Sequence, residues 1–128
     1  MADISTVVAS EREVDIVHPV TQEPIGLKLT VRPDSAPEVR AVERKWLTMG
    51  LRGRRITAEQ MEARGLEILV AHVVGWVWGN DANGEPCTFD GGAPEFNEPN
   101  LRKVLKALPW IKKQLDVEAG NDSGFFKG

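Results

Sequence analysis

Cysteine is nearly missing from this chain. A single one, Cys87, occurs among 128 residues. No intramolecular disulfide can form, and a reducing compartment is the simplest reading. Histidine is almost as scarce. His18 and His72 are the only two, and no His/Cys spacing resembles a zinc site. A basic excess is also lacking. Sixteen Lys and Arg against nineteen Asp and Glu leave a net charge of −3, which argues against a protein dedicated to coating DNA. No long hydrophobic run is present. The longest, residues 66–78, is broken by Glu67, His72 and Gly75 and falls short of the ~20 residues a membrane span needs. Residues 1–10 have no basic region ahead of an apolar core, so no secretion signal is expected. There is no Gly-rich phosphate loop after a strand, no internal repeat and no low-complexity segment. A soluble, cytoplasmic protein is expected.

What is present is a globular mixture. Hydrophobic residues make up 41% and charged residues 27%, and the length suits one domain with its own core. Residues 1–12 read as a flexible lead and 120–128 as a flexible tail around a single domain at 13–119. Val14 and Ile16 alternate with Asp15 and Val17, and Leu27, Leu29 and Val31 alternate with Lys28, Thr30 and Arg32. Period two predicts a β-hairpin over 13–32 with its turn around Pro19–Gly26. Such a hairpin must pack on something, and its free edge invites pairing with another copy.

Helices follow. Ser35 and Glu38 have capping-box spacing, and Val39, Val42 and Trp46 recur at helical spacing. These predict a helix over about 35–49. Thr57 and Gln60 form a second capping box. The apolar positions after it predict one long buried helix over 57–78. Residues 79–97 are rich in Gly, Asn, Asp and Pro and read as a long loop. Pro99 opens a helix over 98–108, and Pro109 starts another over 109–119. The expected fold is α+β: an N-terminal β-hairpin packed on a mainly helical bundle of about four helices.

Few residues carry chemistry. The loop at 79–85 superficially matches a calcium loop, but Gly79 and Asp90 stand where two acidic anchors belong, so an Asn-Gly turn is the better reading. His72, on an apolar helix face, reads as a hydrogen-bonded core residue, and His18 as a turn residue. Cys87 lacks a base beside it and reads as structural. Carboxylate pairs such as Glu11 with Glu13 or Asp81 with Glu85 lack the apolar surroundings that raise a carboxyl pKa for acid catalysis. No catalytic residue, metal or cofactor is therefore assigned, and an enzyme is not expected. Arg44, Lys45, Arg52, Arg54 and Arg55 are the one basic concentration. Arg52, Arg54 and Arg55 are candidate contacts for phosphate or an acidic partner, against the plainer reading of a solvated helix end. Four tryptophans stand out. Trp46 and Trp76 fit inward faces. Trp78 either caps the core under the long loop or is exposed as a binding anchor. Trp110, Phe125 and Phe126 join it as candidate partner-binding residues.

Several blocks of the chain resemble one family. Residues 17–26, Val-His-Pro-Val-Thr-Gln-Glu-Pro-Ile-Gly, are similar to the strand-turn opening of small proteins encoded in the tail operons of long-tailed bacteriophages. Residues 78–86, Trp-Gly-Asn-Asp-Ala-Asn-Gly-Glu-Pro, are similar to their tryptophan–acidic–glycine–proline loop. Phe89, then Leu108-Pro109-Trp110-Ile111, Gln114 and finally Phe125-Phe126, resemble the end of the same proteins. The family is the phage tail assembly chaperones, and the resemblance runs from about residue 13 to the end of the sequence. Residues 90–95 do not match its pattern.

The resemblance implies a non-enzymatic helper in the host cell cytoplasm during virion assembly. Such proteins bind the tape measure protein, keep it soluble and promote assembly of the tail tube around it. It also implies contact with the tail tube protein and a longer form made by ribosomal frameshifting, for which codons at Gly124-Phe125-Phe126 could supply a slippery run. Homo-oligomers fit the free edge of the hairpin. The first rival is a structural virion protein of the tail or head–tail connector. The second is a nucleic-acid-binding regulator using the arginine cluster, which the net acidity disfavours.

Overall fold

A computed structural model of the chain describes residues 10–51 and 55–120. Among them the chain forms β1 (Arg12–Val17), β2 (Pro24–Val31), α1 (Pro37–Leu51), α2 (Ala58–His72), β3 (Val73–Trp78), α3 (Glu98–Ala107) and α4 (Pro109–Ala119). The class is α+β, with an N-terminal hairpin followed by four helices and one strand. Of the lead expected over 1–12 and the tail expected over 120–128, residues 1–9 and 121–128 lie outside the described residues, and Arg12 already belongs to β1.

The strands form one antiparallel sheet in the order β1-β2-β3. Val14, Ile16, Leu27, Leu29 and Val31 alternate onto its inner face and are essentially buried. That face meets Leu66 and Leu69 of α2, Leu101, Val104 and Leu105 of α3, and Ile111 and Leu115 of α4 in one core. Each such leucine or isoleucine contributes roughly 2 kcal/mol by leaving water. The outer face carries Glu13, Asp15, Lys28, Thr30 and the exposed Val77.

β3 corrects the expectation of one helix over 57–78. The apolar run continues past His72, but its last six residues are Val-Val-Gly-Trp-Val-Trp. β-Branched and aromatic side chains fit a pleated, half-buried surface better than a helix interior. Val73 takes an extended conformation, and the chain passes from α2 into β3 with no loop between them. Leu29 then pairs with Trp76 and Leu27 with Trp78.

The helix starts follow local chemistry. Thr57 accepts from the Gln60 N–H while the Gln60 side chain accepts from the Thr57 N–H, closing the expected box. Asn97 caps α3, with Pro99 in its first turn. Pro109 separates α3 from α4, and Leu108 serves as the last cap of one and the first of the other. The box expected at Ser35 and Glu38 is different. The Glu38 carboxylate pairs with Arg32 at 2.9 Å, and the Ala36 carbonyl accepts the N–H of Arg40, so α1 begins later, at Pro37.

Candidate functional site

Trp76 and Trp78 lie two apart on a strand, so both point to the inner side of the sheet. On the expected helix they would have diverged. Their rings meet edge to face, with centroids 5.4 Å apart, and Trp76 meets Phe96 in the same way at 5.4 Å. The Trp76 indole donates to the Pro94 carbonyl at 3.0 Å. Trp78 is half-buried and packs against the core with Cys87, Phe89 and Phe96. Its position is that of a core cap under the long loop. Its indole nitrogen is buried with no hydrogen-bond partner.

The loop at 79–97 folds back on itself and on the hairpin. Gly79 donates to the Gly26 carbonyl at 2.7 Å, and Cys87 donates to the Gly79 carbonyl at 2.8 Å. Asp81 Oδ1 accepts from the backbone N–H groups of Asn83 and Glu85, both at 2.9 Å. This carboxylate is used as a turn former. Among the described residues no cluster of three or more His, Cys, Asp or Glu could hold a metal ion. Burial, then the negative charge of Asp81, pushes the Cys87 thiol above its ordinary pKa, the opposite of an activated nucleophile.

Trp110 sits on the first turn of α4, beside the other edge of the sheet. It is half-buried and lines an open groove of about 650 Å³ with Val14, Val17, Pro19, Lys113 and Val117. Val117 is 66% exposed. Trp78 and Trp110 are therefore not one site: one belongs to β3, the other borders β1, at opposite edges of the sheet. Phe125 and Phe126 lie outside the described residues.

The basic concentration is partly engaged. Lys45 pairs with Glu67 at 2.9 Å, and the Trp46 indole donates to the other Glu67 oxygen at 2.9 Å. One carboxylate on α2 thus grips two side chains of α1. Trp46 is buried here, away from the main core. Arg55 is exposed, and Arg52 and Arg54 lie outside the described residues. His72 is buried, with its ring nitrogens 2.9 Å from the Ile68 carbonyl and 2.6 Å from an Asp34 oxygen. It ties the end of α2 to the segment before α1. His18 accepts at Nδ1 from the N–H groups of Val20 and Thr21 and shapes the hairpin turn.

Sequence reasoning missed a second groove, of about 590 Å³, between α2 and the α3–α4 pair. Met61, Ala63, Gly65 and Leu66 line one side and Leu105 and Pro109 the other. The available signal was Gly65, a glycine in a helix interior, where it costs about 1 kcal/mol relative to alanine.

No family model matches the chain, and no curated protein or solved structure is detectably similar to it. Among the described residues, no helix is long and apolar enough to cross a membrane.

Proposed function

We propose that this protein is a tail assembly chaperone of a long-tailed bacteriophage. In this reading it binds the tape measure protein in the host cytoplasm, keeps it soluble and hands it to the tail tube protein. The observation that carries the reading is the order of the motif blocks: the His18-Pro19 turn, the Trp78–Pro86 loop, the Leu108–Ile111 junction and the Phe125-Phe126 pair. The surface supports it in a general way. Leu47, Val77 and Val117 are each at least 60% exposed, and two open grooves run beside helices. A helical partner with apolar stripes is recognised by such surfaces without any catalytic group. A longer frameshifted form belongs to the same proposal, as does self-association through the sheet edge. Trp110 and the Phe125-Phe126 pair remain its candidate contacts.

The test is co-expression with the tape measure gene of the same operon, followed by affinity capture and a solubility assay. Co-purification and rescue of the tape measure from the insoluble fraction are expected. An expressed tape measure that stays insoluble and uncaptured overturns the proposal. Finding the chain in purified virions by mass spectrometry would then favour a structural tail or connector protein.

A further inference from the structure

The groove between α2 and the α3–α4 pair has walls of opposite charge. α2 contributes Glu59 and Glu62, both exposed, and the opposite wall contributes Arg102, Lys106 and Lys112. Among the described residues no ion pair crosses between them; Arg102 pairs with Glu98 and Lys112 with Asp116, each on its own helix. The floor is apolar, formed by Leu66 and Leu105 with Gly65 and Pro109, and Met61 stands half-exposed at its side.

Gly65 is the second, independent observation. It lies inside α2, and nothing stands within 4 Å of where a Cβ would sit. No turn, positive φ or internal packing requires a glycine there. A residue that weakens its own helix and leaves open space allows another backbone to come close, which is how small residues act where helices pack tightly.

We infer that this groove docks one amphipathic helix of a partner protein, laid over Gly65. An apolar seam at i, i+3, i+4 and i+7 would meet the floor. An acidic flank would face Lys106, beside the intrahelical pairs of Arg102 and Lys112, and a basic flank would face Glu59 and Glu62. The inference deepens the chaperone reading and rests on it for the partner's identity, a helical tape measure protein. The groove's preference for such a helix is tested without that partner.

The probes are labelled synthetic helical peptides with one leucine seam and three flank designs: one acidic and one basic flank, two acidic flanks, or two basic flanks. Binding to the full chain is read by fluorescence anisotropy at low salt. The mixed-flank peptide is expected to bind at least about tenfold more tightly than the doubly acidic one. Gly65→Gln fills the floor while raising helix propensity, so it should abolish binding with the melting temperature unchanged or higher. The double variant Lys106→Glu with Lys112→Glu makes both walls acidic and should shift preference to the doubly basic peptide. Absence of binding, indifference to flank charge, or unchanged binding by Gly65→Gln overturns the groove. If the peptides behave as expected and the tape measure is not captured on co-expression, the groove stands and the chaperone reading falls. If the tape measure is captured equally by wild type and Gly65→Gln, the chaperone reading stands and the assignment of the tape measure to this groove is overturned.

Discussion

The side-chain amide of Gln114 pairs with both backbone groups of Val17. Its Oε1 accepts from the Val17 N–H at 3.0 Å, and its Nε2 donates to the Val17 carbonyl at 2.8 Å. A single carboxamide on α4 thus does for the end of β1 what a neighbouring strand would do. An edge strand with unpaired backbone groups is a template for aggregation, and here part of that edge is covered from within the chain. Gln114→Ala is expected to cost about 1–3 kcal/mol, the range for orphaned partly buried polar groups. It should also promote self-association. Urea denaturation and sedimentation at rising protein concentration check both effects.

The α1–α2 contact should be acid-sensitive. The hydrogen bond from Lys45 holds the Glu67 carboxyl below its ordinary pKa, against partial burial and with help from the Trp46 indole. A carboxyl whose folded value is lowered stabilises the fold fully above its unfolded value, about 4.3. That contribution is lost as pH falls through the lower folded value. Glu38 is shifted the same way, by hydrogen bonds from its own backbone and from Arg32. Stability measured by urea midpoint should be flat from neutral pH to about pH 5 in this respect and should fall below that. Glu67→Gln should lower the neutral-pH midpoint and flatten the acid limb. An unchanged acid limb would count against the contact.

Cys87 should be a slow thiol. Its pKa is raised by burial and then by Asp81, and only the thiolate reacts. Alkylation at neutral pH should run several-fold slower than for free cysteine and reach the free rate in guanidinium. With one cysteine in the chain, mass spectrometry reads the reaction directly. Reaction at the free-thiol rate in the native state would contradict the packing of the loop.

Two glycines make a matched pair. Gly26 has φ +100°, and a Cβ there would lie 2.8 Å from backbone atoms of Gly79 and Asn80. Gly26→Ala should destabilise by more than 2 kcal/mol, because strain and clash add. Gly65→Ala meets no atom and should stabilise by up to about 1 kcal/mol. Thermal melts of the two variants should move in opposite directions.

The parts legible in the sequence were those written in local chemistry. The alternation at Val14, Ile16, Leu27, Leu29 and Val31 marked the hairpin. Thr57 with Gln60, Pro99 and Pro109 marked three helix starts, because caps and prolines act within one turn. β3 was not legible. Residues 66–78 are mostly apolar, broken at Glu67, His72 and Gly75, and such a run gives no clean period to separate helix from strand. The pairing with Leu27 and Leu29, remote in sequence, decides it. Glu38 was misjudged for a similar reason: its partner is Arg32 across the entry to α1, not the serine three residues before it. The charged groove was missed because its walls come from helices separated by a strand and a long loop, and only packing brings them face to face.

The order of the strands also sets a timetable. β2 ends at Val31, but its second neighbour begins at Val73, after the whole α1–α2 pair. On a ribosome the hairpin therefore emerges first, with its apolar face bare until those helices and β3 are made. The amide that shields Val17 comes 97 residues after it. Long-range pairings of this kind slow folding, so the nascent chain spends its most adhesive interval with the β1 edge still open.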